Sequence, residues 1–548
     1  MKILLILALV FASSFAQDRP KIALVLSGGG ARGGAHVGVL KVLEEKKIPI
    51  DIIVGASMGS FMGGLYASGK TPQEIEKMLV TSDWRKYIRT DFDRADTPMR
   101  VKEVEYSYQG RLGLGIDSKN TLVLPTGVLK RQPLLFKMME ETQHTQNIKD
   151  FDNFAIPFRA LATNIANGEA VVLKSGSLGE AIYASSSIPG GLQPININGV
   201  DLVDGGVSDN IPIQLAKDMG ADIVIAVDVS ENFDEEIDIN SYFVVLGQMV
   251  NILMRKNANK SIQKLTDKDI LLTPDLKGFN GLDAHKYKEI VQRGYDIAKE
   301  SYESKLKHLS LSDEEYELYK QKHRVAKKRV SPIIDAIEIQ NPTYISDDSI
   351  LQRISVKVGD RLDEKLLREK LMHIYNMTIF DSVEYKLKEI DGKTILVIIT
   401  TPSWNNHADI RFSIGVQDDF EGQSSYSFKA GYTMFGLNQY GAQWKNDFEI
   451  GENQKAYTEF YQPLDSMQRY YLKPSILYEK TIEYFSYDSG TVELETGSVG
   501  ASIGVGANIG TDYQLEIGIG SFKRIQLIFQ QIVLLKHNIN LDLCMLQF

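Results

Sequence analysis

The residues best suited to chemistry lie in Gly55-Ala56-Ser57-Met58-Gly59, a G-x-S-x-G motif. Ile52-Ile53-Val54 precedes this motif, and small and apolar residues follow it in 60–67, which predicts a strand, a sharp turn and a buried helix. A serine on such a turn holds its hydroxyl exposed, and Gly55 and Gly59 avoid the clash that a Cβ would cause. The serine is therefore a candidate nucleophile, which needs an oxyanion hole and a base.

A second glycine-rich segment follows the first predicted strand. Ile22–Leu26 is a short apolar run typical of a strand buried on both faces, and Gly28-Gly29-Gly30-Ala31-Arg32-Gly33 comes after it and opens a helix. Consecutive glycines at a helix N-terminus can direct several N–H groups at one anion. If the two strands are neighbours, this loop lies beside the serine and supplies an oxyanion hole. Arg32 could hold the loop or attract an anionic head group; a surface salt bridge is the alternative.

The same loop satisfies G-x-G-x-x-G, the fingerprint of a dinucleotide site. That fingerprint requires an acidic residue at the end of the second strand to bind the ribose. Here Asp51 lies at the start of that strand and the serine motif at its end, so the pattern disfavours a nucleotide. We predict no cofactor and no metal site, because no His or carboxylate cluster has ligand spacing and Cys544 is the single cysteine.

The serine requires a base, either a histidine or a carboxylate acting directly. None of the eight histidines follows a predicted strand as a triad histidine would; they are His36, His144, His285, His308, His323, His373, His407 and His537. Asp204-Gly205-Gly206 does follow a predicted strand, Val200–Val203, and its glycines permit close approach to another loop. A lone D-G-G is usually a turn, so this assignment depends on the other two motifs.

The motifs G-G-G-x-R-G, G-x-S-x-G and D-G-G, in this order, closely resemble the patatin-like phospholipases over about residues 20–310. The resemblance implies a three-layer α/β domain that hydrolyses lipid acyl esters, such as phospholipids, without a metal. It implies a Ser–Asp dyad with Ser57 as nucleophile and Asp204 as base. The implied oxyanion hole consists of Gly28, Gly29, Gly30, Arg32 and Gly33. The segment 185–190 also resembles the family's small-residue stretch before the aspartate strand.

Three further regions differ in pattern. Alternating strand and helix signals continue to about residue 325, which indicates one α/β domain over 20–325, with an irregular stretch at 90–125 that could cover a site entrance. Residues 330–402 predict a β-α-α-β-β module that resembles a POTRA domain. Residues 407–548 contain segments of about ten alternating residues, typical of an antiparallel outer-membrane β-barrel; a soluble β-sandwich is the alternative. About nine or ten strands fit into this region, which is fewer than in the barrels it resembles. The barrel region is therefore predicted to be truncated.

Residues 1–16, with Lys2 and the apolar run Ile3–Ala12, predict a signal peptide rather than a buried N-terminal element. Signal, hydrolase, POTRA and barrel together resemble a type Vd autotransporter. That resemblance implies the bacterial outer-membrane bilayer as a partner and a hydrolase domain that is at the cell surface or secreted. It is also compatible with a homodimer. The net charge of −10 argues against nucleic acid. The rival hypothesis is an outer-membrane transport or assembly protein with a non-catalytic α/β passenger.

Overall fold

The computed structural model describes residues 19–90, 95, 97–105, 108, 110–116, 121–123, 127–231, 242–322, 331–403, 408–418, 424–487, 490–529, 540–542 and 545–547. The predicted signal peptide, residues 1–16, lies outside the described residues. Among the residues described, no helix has the length and apolar character needed to cross a membrane.

Strands and helices are numbered along the chain. The strands are β1 (Ile22–Leu26), β2 (Ile52–Ala56), β3 (Gly110–Ile116), β4 (Leu122–Val123), β5 (Gly127–Leu129), β6 (Phe158–Asn164), β7 (Ala170–Leu173), β8 (Gly190–Leu192), β9 (Ile195–Ile197), β10 (Val200–Asp204), β11 (Ile223–Val227), β12 (Ile270–Leu272), β13 (Ala336–Gln340), β14 (Phe380–Ile390), β15 (Lys393–Pro402), β16 (Ala408–Asp418), β17 (Ser424–Met434), β18 (Gln443–Gly451), β19 (Gln454–Pro463), β20 (Tyr470–Tyr487), β21 (Gly490–Ile509), β22 (Tyr513–Phe529), β23 (Asn540–Asp542) and β24 (Met545–Gln547). The helices are α1 (Ala35–Glu45), α2 (Met58–Ala67), α3 (Pro72–Thr81), α4 (Met99–Glu105), α5 (Arg131–Glu141), α6 (Leu178–Ser186), α7 (Gly206–Asp209), α8 (Ile213–Asp218), α9 (Tyr242–Ile262), α10 (Tyr287–Glu300), α11 (Asp313–Lys322), α12 (Asp347–Ile354) and α13 (Glu364–Tyr375).

The chain divides into two compact units. Unit 1 comprises Met1–Arg89 and Thr126–Arg329, and unit 2 comprises Thr90–Pro125 and Val330–Phe548. The α/β domain expected over 20–325 is therefore not continuous, because the chain leaves unit 1 after Arg89 and returns at Thr126.

Unit 1 is built on a sheet with the strand order β12-β11-β1-β2-β6-β10-β9, and β7 also pairs with β6. The strands β12, β11, β1, β2 and β6 are parallel, as the strand–helix–strand pattern predicted. β10 is antiparallel to β6, an orientation that no local signal revealed. Every residue of β1, β2 and β11 is buried, which explains their uninterrupted apolar sequences.

Helices cover both faces of this sheet and approach each other closely where glycines allow it. On one face, Ala23 and Val25 belong to a core that includes Ile211 and Ile213 of the α8 region. Elsewhere, α1 crosses α10 at Gly38 and Gly294: a Cβ on Gly38 would clash with the Val291 carbonyl, and one on Gly294 with Ala35. Such backbone contact fixes α1, and with it the glycine loop from which α1 starts.

The first module of unit 2 has the predicted order β-α-α-β-β. Its sheet has the order β13-β15-β14, with β13 parallel to β15 and β14 antiparallel to β15. Asp391 and Gly392 connect the hairpin with φ of 52° and 74°, the positive values that a type I′ turn needs. Asp-Gly is a residue pair that such a tight hairpin turn favours.

The large sheet of unit 2 runs β23-β22-β21-β20-β19-β18-β17-β16-β3-β4, and β24 also pairs with β22. Two strands of this sheet are long, since β20 has 18 residues and β21 has 20. Most of the residues beyond Phe529, where β22 ends, lie outside the described residues.

The prediction that the stretch 90–125 is irregular is wrong. This stretch contains α4 and the strands β3 and β4, and β3 pairs antiparallel with β16. The buried Arg100 guanidinium forms an ion pair with Glu459 of β19, and the Lys102 ammonium lies 3.2 Å from Asp512. These long-range partners place the stretch in unit 2, and local sequence patterns carry no trace of them.

Candidate active site

Ser57 lies on a strained turn between β2 and α2. Its φ of 52° and ψ of −127° are unfavourable for a residue with a Cβ, at a cost of about 1–3 kcal/mol. Its carbonyl accepts hydrogen bonds from the N–H groups of Ser60 and Phe61, which begins the helix. A Cβ at Gly59 would clash with the Leu26 carbonyl at the end of β1, so this glycine lets α2 pack on the sheet and hold the turn.

The glycine loop lies beside this serine, because β1 and β2 are neighbouring parallel strands in which Leu26 pairs with Gly55. A Cβ on Gly28 would lie 2.8 Å from the Ser57 Cβ, so only glycine allows this approach. Gly30 has a φ of +56°, and a Cβ there would lie 2.5 Å from the Gly281 carbonyl oxygen. The loop is therefore held between the nucleophile and the segment around Gly281.

Several N–H groups of this region remain available for an anion. Within the described part of the chain, the N–H groups of Gly29 and Gly30 donate to no acceptor, and neither does that of Met58 at the start of α2. The Gly28 N–H differs, since it donates to Asn210, with 3.2 Å to Oδ1. Gly33 accommodates the Met58 side chain, with which a Cβ would clash. Three available donors thus surround the serine, and α2 adds the positive end of its dipole.

Asp204 ends β10, and strand register brings it to the level of Ser57. Ala56 pairs with Leu161 of β6, and the next residue, Ala162, pairs with Asp204. After Asp204 the chain passes β6 at Leu161, where a Cβ on Gly205 would clash with the Leu161 carbonyl. The glycine after the aspartate therefore permits the crossing that brings the carboxyl group towards the serine.

The environment of the Asp204 carboxyl group makes it an unusually strong base. Burial raises its pKa to about 7, although its interaction with the Ser57 side chain and a hydrogen bond from Gly206 favour the ionised form. The Gly206 N–H lies 2.8 Å from Oδ1, while Oδ2 is buried without a formed hydrogen bond. A carboxylate with one unengaged oxygen and a pKa near neutrality can accept a proton at physiological pH.

His36 is the histidine nearest to the glycine loop. It supports that loop and is not placed to act as the base for Ser57. It is fully buried, and its Nε2 lies 2.8 Å from the Ser27 carbonyl oxygen. Burial lowers its pKa to about 4, so the ring is neutral at physiological pH. Three other histidines, His323, His407 and His537, lie outside the described residues.

Arg32 holds the loop, one of the three roles that the sequence left open for this residue. Its guanidinium is buried and donates to three main-chain carbonyls, those of Val229 at 3.0 Å, Ser230 at 2.9 Å and Phe279 at 3.2 Å. These hydrogen bonds direct the side chain to the segment after β11 and to the segment before Gly281.

Sequence reasoning missed two residues that support the site. Ser185 accepts a hydrogen bond from the Ser57 N–H at 2.9 Å and donates to the Leu161 carbonyl at 2.5 Å, so it links the strained turn to β6. Asn210 contacts both polar groups of Gly28, since Oδ1 accepts from its N–H at 3.2 Å and Nδ2 lies 3.3 Å from its carbonyl oxygen. Two signals in the sequence could have identified these residues: the serine run at 185–187, and the position of Asn210 six residues after Asp204.

Comparisons with known proteins agree with this geometry. Residues 24–217 match the family described as Patatin-like phospholipase, so the chain contains a patatin-like phospholipase domain that includes both Ser57 and Asp204. A lysophospholipase NTE1 from Kluyveromyces lactis is 32% identical over 296 residues, which cover 50% of this chain and 18% of that protein. A lysophospholipase nte1 from Emericella nidulans is 30% identical over 344 residues, covering 57% of this chain and 20% of that one. The chain thus spans about a fifth of the length of these relatives.

Among solved structures, VipD from Legionella pneumophila has 16% identity and a TM-score of 0.29, covering 52% of this chain and 67% of that chain.

Proposed function

With residues 24–217 taken as a patatin-like phospholipase domain, we propose that the chain is a lipid acyl-ester hydrolase of the phospholipase A or lysophospholipase type. Ser57 is the nucleophile and Asp204 the base. The observation that carries the proposal is the buried Asp204 carboxyl group, whose pKa is about 7 and which interacts with the hydroxyl-bearing side chain of a strained serine. The lysophospholipase relatives support the same class of substrate.

Acylation begins when the Asp204 carboxylate accepts the proton of Ser57 Oγ. The oxygen forms a bond to the acyl carbonyl carbon, and the electrons of the C=O bond move to the carbonyl oxygen. The pKa of about 7 makes this carboxylate a far better base than an exposed aspartate while leaving much of it ionised at neutral pH. Direct transfer to a carboxylate needs no histidine.

The oxyanion that forms is stabilised by the available N–H groups of Gly29, Gly30 and Met58 and by the N-terminus of α2. In this assignment Gly28 admits the serine, Gly33 admits the Met58 side chain, and Arg32 holds the loop. The intermediate collapses when the ester C–O bond breaks, and the alcohol part of the lipid leaves with the proton from Asp204. Deacylation repeats the sequence with water, which Asp204 deprotonates as it attacks the acyl-enzyme.

We also propose that unit 2 places the hydrolase at a bacterial outer membrane, with residues 330–402 as a POTRA-type module. The alternation along β18 supports this: Trp444, Phe448 and Ile450 are exposed, while Lys445 and Asp447 pair with each other at 3.1 Å. An apolar exposed face opposite a charged, ion-paired face is the arrangement of a lipid-facing strand. Outer-membrane fractionation combined with heat-modifiable gel mobility tests this, and a water-soluble chain of unchanged mobility would contradict it.

The hydrolase proposal is tested by covalent labelling of the 548-residue chain with a fluorophosphonate probe. We expect one phosphonylated residue, Ser57, identified by peptide mass spectrometry, and no labelling of Ser57→Ala. Ser68→Ala is the matched control, because it removes a buried hydroxyl just after α2 and leaves the nucleophile and its supports in place. Equal labelling of the wild type and Ser57→Ala would reject the assignment, and a wild type that never reacts would favour the non-catalytic passenger.

A further inference from the structure

Helix α9 crosses the edge of the sheet that carries the candidate site. Its Leu246 side chain packs on Gly190, its Met254 methyl group lies over Gly206, and Asn257 donates to the Val207 carbonyl at 2.5 Å. Gly206 and Val207 come directly after the Asp204-Gly205 pair. One face of α9 is therefore committed to the segments that position the base.

The opposite face of α9 exposes apolar side chains. Val245, Met249, Ile252 and Leu253, here called the apolar strip, have between 37% and 63% of their surfaces exposed. The spacing of i, i+4, i+7 and i+8 places them on one side of the helix over about 12 Å. Burying such side chains contributes about 1.5–3 kcal/mol each, so an exposed strip of four indicates a binding surface.

The charges next to the strip indicate what it binds. Lys256 and Lys260 follow on exposed positions of the next turns of α9. Arg255, directly before Lys256, is instead paired with Asp228 at 2.8 Å. A strip of apolar residues that ends in exposed lysines is typical of a helix lying in a membrane interface, with apolar groups among acyl chains and ammonium groups near phosphates.

From these observations we infer that α9 docks unit 1 on the surface of a phospholipid bilayer containing anionic lipids, with the apolar strip inserted and Lys256 and Lys260 at the head groups. This inference rests on the proposed function, because a hydrolase of bilayer lipids must receive its substrate from a membrane. Docking through α9 brings the bilayer to the helix that packs on Gly206 and Val207, the residues that follow Asp204 and Gly205. The surface thus selects lipids presented in a bilayer over dissolved esters.

An environment-sensitive fluorophore on the strip tests docking directly. The 548-residue chain, reconstituted in nanodiscs, carries the label at Met249→Cys in a Cys544→Ser background, and vesicles of phosphatidylcholine with or without phosphatidylglycerol are added. We expect the emission to shift to shorter wavelength with the anionic vesicles and to be quenched by brominated acyl chains. The matched control is Leu318→Cys on α11, which is equally exposed and apolar but outside the strip; its emission stays unchanged.

Three outcomes of the labelling experiment would overturn the inference. They are an unchanged emission at position 249, an equal shift at position 318, and a shift at 249 that appears without vesicles and grows with protein concentration. The last of these would assign the strip to a second copy of the chain.

Rates of ester hydrolysis distinguish a failure of the docking surface from a failure of the proposed function. We expect Met249→Glu to lower the ratio of vesicle-phospholipid turnover to soluble-ester turnover about tenfold, the equivalent of withdrawing one apolar side chain from lipid. Leu318→Glu leaves the ratio unchanged. If the wild type hydrolyses neither substrate, the proposed function fails; if it hydrolyses both and Met249→Glu keeps the wild-type ratio, the docking surface fails and the proposed function stands.

Discussion

In unit 1 the strands β1, β2 and β11 are buried at every position, whereas in the large sheet of unit 2 exposed apolar residues alternate with charged ones. Along β22, Leu515, Ile517 and Ile519 are exposed, while Glu516 between them contacts Lys473 at 2.7 Å. A doubly covered sheet has no polar face, so its functional groups collect where the strands end. A two-faced sheet spreads its polar groups along every strand and offers an apolar surface instead.

The largest effect is expected at the Asp204 carboxyl group, which lies at the end of β10 in the sheet of unit 1. Asp204→Asn keeps the shape of the side chain and its hydrogen bond from Gly206 but removes the base, so kcat for ester hydrolysis should fall about 10³-fold or more. Steady-state kinetics measure this, with circular dichroism as the control for folding. A variant that retains a tenth of the wild-type kcat would contradict the role of Asp204.

The same apolar truncation should have different consequences in the two sheets. Leu24→Ala in β1 removes a side chain with no exposed surface, which costs about 2–5 kcal/mol. Ile517→Ala in β22 removes one that is 56% exposed and should change stability by less than about 1 kcal/mol in detergent. Pulse proteolysis in urea measures both, and equal losses would break the distinction between the sheets.

A smaller effect is expected from the amide that positions the glycine loop. Asn210→Ala removes the contacts to both polar groups of Gly28, so the loop loses its alignment with the oxyanion and kcat should fall about 10–100-fold with KM little changed. Asn210→Asp retains the acceptor for the Gly28 N–H but loses the Nδ2 donor, so it should recover only part of this loss. A change confined to KM, or none, would mean that Asn210 has no part in the alignment.

The pH dependence of kcat tests the Asp204 carboxyl group without substituting any residue. Because burial raises the pKa of Asp204 to about 7, kcat should decline about tenfold for each pH unit below that value as the carboxylate becomes protonated. The raised pKa also means that folding favours the protonated acid, a stabilisation present in full below about pH 4 and lost as pH rises through about 7. Asp204→Asn should therefore be more stable than the wild type at pH 8 and gain little at pH 4.

Thermal melts of the wild type and Asp204→Asn at pH 4 and pH 8 measure the difference in stability, and the pH profile of kcat measures the loss of activity. An activity that stays flat from pH 5 to pH 8, or a variant equally stabilised at both, would contradict a buried base of raised pKa.

Motifs alone predicted the nucleophile turn, the parallel pairing of β1 with β2 and the β-α-α-β-β module, since each depends on residues close together in the chain. Gly28-Gly29-Gly30 was correctly placed next to Ser57, because the carboxyl ends of neighbouring parallel strands meet. The roles within the loop were not predictable. Whether Arg32 points to the site or to the Val229 carbonyl depends on a segment almost 200 positions later, which no local pattern encodes.

The amino-acid sequence by itself determined which residues can do chemistry and which strands are buried on both faces, because glycine spacing and apolar periodicity act locally. The tertiary structure decided what those residues become. It placed Asp204 at the level of Ser57 through an antiparallel register and raised the pKa of its carboxyl group by burial. It also assigned 90–125 to unit 2 through Arg100 and Glu459. Burial and long-range pairing depend on the whole chain, so only the folded molecule reveals them.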